Sequence, residues 1–344
     1  MALLLIEGFE QYTLTDESEL ARGGWYTTTG AWTTVFNFVT GRHTGGRAVT
    51  LQGNGFNLTH AVKPSASFTC GFAYKLLNGG PANLPLLACR NNAIDHLVLV
   101  ATAAGELELR RGVTQIDITS GLGLTQGVWY YFEIEATIDN SVGAYDVHMD
   151  GSQLFADTSV DTQNAGAAQC DNIEFHGNST LDPIVDDIYF LDDTGADNTG
   201  LLGDCRVETI YPDADGNEND FTRVGGGSNN YEAVDDGGSP DDDSTYNWSA
   251  TVTDRELYGF AALAGSIDTI YGVDAKMLVR KEDAGFREVR VIGRSNVTEV
   301  ESVDKTLGVD YRLLNHIYEN DPNGGIDWTE SAVNSAQFGL DLQT

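Results

Sequence analysis

Basic side chains are scarce in this sequence: 19 lysines and arginines stand against 52 aspartates and glutamates, a formal net charge of −33. The deficit runs through the whole chain, with 8 basic against 24 acidic side chains in residues 1–200 and 11 against 28 in residues 201–344. A surface of that sign is repelled by phosphate backbones and anionic headgroups, which argues against a nucleic-acid partner. Long apolar runs are missing too. The N-terminal run Ala2–Ile6 follows no basic segment and ends at Glu7, too short for a membrane span or a secretory leader. The expectation is a protein with no signal peptide and no membrane insertion, made in a cytoplasm. The four cysteines (Cys70, Cys89, Cys170, Cys205) form no C-x-x-C pair, so neither a zinc ribbon nor a disulfide framework is indicated. Cys70 and Cys170 sit in apolar strand patterns and read as small buried hydrophobes. Nucleophile elbow, P-loop, dinucleotide fingerprint and HExxH are absent, and the six histidines are scattered.

What is present is glycine and alternation. The chain has 39 glycines, no sustained heptad and no long amphipathic helix, so an all-β chain of short strands and tight turns is expected. The clearest segment is Trp129–Gly151. Tyr130, Phe132, Ile134, Ala136 and Ile138 alternate with Tyr131, Glu133, Glu135 and Thr137. After the loop Asp139–Gly143, Tyr145, Val147 and Met149 alternate with Asp146, His148 and Asp150. That pattern predicts an antiparallel hairpin with one dry face and one wet, acidic face.

Strand-like runs with turn signals between them cover the first half: 32–39, 47–51, 55–62, 67–76, 84–90, 96–101, 106–111, 172–176 and 184–191, the spacing of a sandwich or jelly roll. The turn-rich segment 192–203 marks the expected boundary between a domain at 1–200 and a second β-rich domain at 201–344. Residues 211–243 carry ten acidic side chains and one basic, Arg223, and read as an acidic arm. The basic group Lys276, Arg280, Lys281, Arg287, Arg290 and Arg294 is its expected dock. Thr329 is positioned to open a short helix over 330–335, with a closing strand at 338–342.

Three groups of side chains point to chemistry. Glu133 and Glu135, with Asp146, His148 and Asp150, place carboxylates on one sheet face, as general acid–base chemistry requires. The strand lacks the Glu-x-Asp-x-x-Glu pattern of sandwich glucanases, and a solvated sheet is the plainer reading. Asp213, Asp215, Asn217 and Asp220 supply oxygens at calcium-like spacing. An EF-hand would need glycine and glutamate where Glu218 and Val224 stand, so only a looser calcium loop is open, beside the reading of an acidic surface turn. Asp186–Asp187 is a further oxygen-rich corner, fit to cap a turn or hold an ion.

The segments SFTCGFAYKL (67–76), GELELRRG (105–112), WYYFEIEATID (129–139), GAYDVHMDG (143–151) and VDDIYFLDDTG (185–195) resemble the concanavalin A/laminin-G-like jelly roll, in the versions found in tailed-bacteriophage structural proteins. FTRVGGGSNNYEAVDD (221–236), RKEDAGFREVRV (280–291) and DWTESAVNSAQFGL (327–340) are similar to the second half of such proteins. The resemblance implies an N-terminal jelly-roll sandwich followed by a second β-sandwich-like domain. It further implies a non-enzymatic virion component (tail-associated, fibre or head-decoration) synthesised in the host bacterial cytoplasm. Its partners would be other virion proteins and copies of itself. The second expectation is a carbohydrate-binding module for host-surface glycan, with Trp25, Trp32 or exposed tyrosines stacking on sugars. The third is a glycoside hydrolase using Glu133 and Glu135.

Overall fold

The computed structural model describes residues 2–13, 17–27, 36–80, 82–265 and 267–344. Its regular structure is almost entirely antiparallel β, as expected. The chain divides into two compact units, the first of residues 1–10 and 14–207, the second of residues 11–13 and 208–344. The division falls at Val207/Glu208 rather than 200/201. The turn-rich segment is tied into the first unit, where Glu133 accepts from the Gly203 amide at 2.7 Å and Asp187 from the Val207 amide at 2.8 Å.

The first unit is a two-sheet sandwich. One sheet has the order Ser152–Val160, Gly143–Met149, Trp129–Thr137, Ser67–Leu76, Pro183–Asp192, Arg47–Leu51, Phe36–Thr40, with Ala2–Glu7 as eighth strand on Pro183–Asp192. The other runs Thr114–Ile118, Leu107–Arg111, Ile94–Ala101, Leu84–Asn91, Cys170–His176, Asn57–Ser65, Trp25–Thr27. Strands pass repeatedly between the sheets, as in a jelly roll. Asn57–Ser65 and the adjoining Ser67–Leu76 lie in opposite layers, and so do Cys170–His176 and Pro183–Asp192.

Period-two alternation decides what fills the space between the sheets. In the first sheet Phe72 stacks on Phe132 at 5.5 Å and Phe68 on Phe190 at 5.5 Å. Phe175 of the second sheet meets Phe72 edge-on at 5.2 Å, joining the layers. Such aromatic pairs add roughly 0.5–1.5 kcal/mol each beyond their buried area. Cys70, Cys89 and Cys170 are free and fully buried. Burial pushes the Cys70 thiol well up; a hydrogen bond to Cys170, then burial, does the same for Cys89. The expected hairpin forms, pairing Phe132 with Met149, Ile134 with Val147 and Ala136 with Tyr145.

The second unit is built on a six-stranded sheet: Pro212–Asn219, Arg255–Phe260, Gln337–Leu342, Glu288–Ser295 and Thr298–Glu301 in order, with Lys305–Thr306 also on Glu288–Ser295. A two-stranded ribbon of Val273–Val279 and Arg312–Tyr318 accompanies it. Tyr318, Trp328, Val333, Phe338, Val291, Ala275 and Ala336 form the core, and the Trp328 indole donates to the Tyr318 carbonyl at 2.8 Å. The helix spans Glu330–Val333, capped by the Thr329 hydroxyl accepting from the Ala332 amide, and the closing strand is Gln337–Leu342.

Residues 211–243 do not behave as a free arm. Pro212–Asn219 is an edge strand on Arg255–Phe260, and Thr222–Val224 pairs with Tyr246–Trp248. An edge strand with little to bury can be as polar as a loop, so composition alone misleads there. The basic group meets the former arm where Arg280 bonds Asp243 at 2.7 Å and where Arg294 donates to the Asn217 side-chain oxygen at 3.1 Å. Arg287, Arg290 and Arg294 bond acids nearer in sequence, Asp283, Glu301 with Asp304, and Glu299.

Candidate binding face

The expected acidic face lies on the outer side of the eight-stranded sheet, and the structure covers it at Glu133 while Glu135, Asp146 and His148 stay partly exposed and Asp150 exposed. Glu133 stands opposite His148, and Glu135 opposite Asp146, but Glu133 is buried, accepting from the Tyr189 hydroxyl at 2.5 Å and the Gly203 amide at 2.7 Å. Tyr189 lies flat over Gly71, where any β-carbon would overlap its ring. Glu135 is pushed upward by desolvation and by Asp146, and Asp150 accepts from the Tyr131 amide at 2.8 Å. The pair Glu133/Glu135 therefore has one member consumed in holding the 200–203 segment, not a free acid and base.

Asp186 and Asp187 are both buried. The pairing shifts between Asp186 and Tyr189, and Asp187 takes φ +49°, so a bulge turns both carboxyls to the same cluster. Asp186 accepts from the Arg42 amide at 2.7 Å; Asp187 lies 3.2 Å from both the Arg42 guanidinium and the His43 imidazole. The corner is an ion-paired anchor. Burial, reinforced by Asp187, lifts Asp186 to about 8, and burial lifts nearby Glu10 to about 7.

In the second unit, Asp215 accepts from the Tyr231 amide at 2.8 Å and Asp220 from the Arg255 amide at 3.1 Å. The Asn217 amide donates to Gln337 at 2.9 Å, and Asp213 is exposed on the edge strand. Among the described residues, no three His, Cys, Asp or Glu side chains gather as a metal site.

The outer face of the seven-stranded sheet is different. Register places Arg110, Val98, Ala88, Glu174, Thr59 and Tyr26 opposite one another in a single row crossing six strands. The neighbouring row of Leu109, Leu99, Leu87, Phe175 and Leu58 points into the core. Ala88, Val98 and Val100 form a small apolar cluster of their own, almost fully buried although register turns them away from the Leu109–Leu58 row, so they present almost no surface to solvent.

Beside that floor lies a polar network centred on Glu174, which is 2% exposed. It accepts from Asn57 Nδ2 at 2.9 Å, from Thr59 Oγ1 at 3.0 Å and from Arg90 Nη1; His176 Nε2 stands 3.4 Å away. Desolvation holds the His176 imidazole below its usual range. Arg90 also pairs with Asp95 at 2.8 Å and donates to the Ala93 carbonyl. Tyr26 is 40% exposed and donates to Asn172 Oδ1 at 2.7 Å; desolvation and the Glu174 charge raise its phenol.

Of the aromatic residues expected to meet a sugar, Trp25 is buried, packing on Phe9, His60 and Phe175, with its indole donating to Glu7. Trp32 lies outside the described residues. The adjacent residue, Tyr26, faces outward instead. The signal available in the sequence was the alternation Asn172-Ile-Glu174-Phe-His176, which puts three polar side chains on one face of a strand.

No family model matches the chain, and no curated protein is significantly similar to it. Solved structures of similar fold include a sialidase (12% identity, TM-score 0.41), matched over 56% of this chain but only 19% of its own length. Alginate lyase Aly36B matches 55% of this chain and 97% of its own at 11% identity and TM-score 0.40. Domain 4 of AbnA, a GH43 extracellular arabinanase from Geobacillus stearothermophilus in complex with arabinotriose, matches 55% and 91% at 14% identity and TM-score 0.38. By name these similar structures are carbohydrate-active or carbohydrate-bound proteins. The expected role as a tailed-phage structural protein is corrected on that finding.

Proposed function

We propose that the N-terminal unit is a carbohydrate-binding module whose ligand lies along the outer face of the seven-stranded sheet. One observation carries the reading: a single cross-strand row aligns a guanidinium, a fixed carboxylate and a half-exposed phenol over a buried apolar centre. A sugar ring needs that combination. Its C–H face would pack on the exposed ring of Tyr26, and its rim hydroxyls seek convergent donors and acceptors beside it. The network around Glu174 is already ordered by its own partners, so little side-chain entropy remains to be lost on binding.

The reading is one of binding without catalysis. Glu174 is consumed by its sheet neighbours, and Glu108 is gripped at both oxygens by Arg110 at 2.8 and 2.9 Å. Neither is free to exchange a proton with a ligand. Affinity electrophoresis through gels cast with plant and microbial polysaccharides tests the site. Tyr26→Ala is expected to abolish retardation while leaving the circular-dichroism melt unchanged. Retardation of the variant equal to that of the parent chain would place the ligand elsewhere.

A further inference from the structure

The charge state of this face specifies the kind of glycan, an inference that rests on the carbohydrate-binding reading above. The seven strands of the sheet hold four cationic side chains: Lys63, Arg90, Arg110 and Arg111. Every one of them is already paired with an acid of this same unit. Lys63 bonds Asp192 at 2.7 Å and also reaches Thr194. Arg90 is held by Glu174 on one edge and Asp95 on another, and its remaining edge donates to the Ala93 carbonyl. Arg110 forks Glu108, and Arg111 pairs with Asp161.

Recognition of a uronate, sialate or sulfate calls for a guanidinium fork or ammonium with free N–H groups aimed at the anion. Here each cation already faces a carboxylate, so its charge is matched within the unit. Asp117 and Asp171, on the same sheet, add uncompensated negative charge, and the whole chain carries −33. An anionic polymer approaching this surface meets repulsion over the screening distance, about 10 Å at 0.1 M salt, with no local cation to offset it.

We infer that the face takes an uncharged glycan and excludes acidic ones. The arginines hold their partner carboxylates in place, and the lone pairs left over on Glu108 and Asp95 accept from sugar hydroxyls. Glu108 and Asp95 work in this sense as selectivity residues, because they neutralise the cations that would otherwise attract acidic polymers.

The test uses the full chain on two panels, neutral (arabinan, xylan, β-glucan, galactan) and anionic (alginate, polygalacturonate, polysialic acid), at about 20 mM and 500 mM NaCl. The expected result is retention by at least one neutral polymer, with affinity changing less than about twofold between the two salts, since no counterion release accompanies binding. No anionic polymer is retained at either salt. Glu108→Gln, which frees the Arg110 fork, is expected to gain retention by an anionic polymer at low salt and lose it at high salt. Asp95→Asn, at a partly exposed position, makes the same test at Arg90 should the first variant fold poorly. Parent-chain retention confined to anionic polymers, falling more than about tenfold at high salt, would overturn the selectivity while leaving the glycan reading intact. Correctly folded variants that gain nothing would also overturn it. Silence on both panels would remove the carbohydrate reading itself and the selectivity with it.

Discussion

On the outer face of the eight-stranded sheet, Glu133, Asp186 and Asp187 accept hydrogen bonds from segments laid over the strands: Gly203, Arg42 and Val207. On the outer face of the seven-stranded sheet, the partners identified for Glu174 are Asn57, Thr59, Arg90 and His176, all within the sheet. Both sets of carboxylates are buried and hydrogen-bonded, as buried charge requires. The difference lies in where the donors come from. A carboxylate satisfied by a crossing segment ties that segment down and closes the surface. One satisfied by its own sheet ties down no crossing segment, and on that face Tyr26 stays 40% exposed. Burial of an acid therefore does not by itself mark an anchor; the origin of its partners does.

Four experiments break or sharpen that contrast. The largest expected effect is on the closed face. Arg42→Ala removes the guanidinium from Asp187, a carboxylate 1% exposed, and stripping one partner from a buried pair costs about 3–5 kcal/mol. A sharp fall in the melting temperature of the first unit, with glycan retention preserved in the protein that remains folded, is the outcome that supports the division of labour. Gly71→Ala comes next. The methyl group would overlap the Tyr189 ring, and overpacking of this kind costs roughly 1–3 kcal/mol, read as a shift of the denaturation midpoint. A variant as stable as the parent would mean that Tyr189 is not held over Gly71.

The third is pH dependence. Asp186 and Glu10 are raised to about 8 and about 7 in the folded chain, burial being the first cause for each, above their unfolded values of about 4. Raised acids favour the folded state when protonated. Their contribution is complete below pH ~4 and is lost as pH climbs through 7 and 8. The melting temperature should fall from pH 6 to pH 9, and Asp186→Asn should flatten that fall. Equal slopes in the variant and the parent would remove Asp186 as the cause. Glu256, raised to about 7 in the second unit, titrates in the same direction and makes the Asp186 variant the necessary control. The smallest stability effect belongs to the open face: Tyr26→Ala should stay within about 0.5 kcal/mol of the parent, the range of ordinary surface substitutions. A large destabilisation would show that Tyr26 serves the fold rather than a ligand.

Much of the fold was legible because its signals are local. The alternation in Trp129–Met149 states its own pairing, and the hairpin register follows it residue by residue. Thr329 announces a helix start within four residues of itself. The site was less legible because it is assembled by register between distant strands. Tyr26, Thr59, Ala88 and Glu174 become neighbours only once the order of the seven-stranded sheet is fixed, and nothing near Tyr26 in sequence specifies Glu174. Coverage was invisible for a related reason. Alternation correctly turned Glu133 away from the sandwich core, but alternation carries no information about the 200–203 segment that lies over it. Trp25 and Tyr26 show the cost of a single position: adjacent aromatics on one strand face opposite ways, and the smaller one reached the surface.

The four thiols give the first unit an internal clock for its own opening. Cys70 comes from one sheet and Cys89 and Cys170 from the other, all fully buried and all free. Cys205 lies at intermediate depth, its thiol pushed to about 12 by burial first and then by Glu133. An alkylating reagent can reach Cys205 when the 200–207 segment lifts, a local event. It can reach the other three only when the two sheets part. Mass spectrometry of a timed alkylation would then resolve an adduct of one followed by a concerted jump to four, separating the fraying of one strap from the collapse of the whole sandwich.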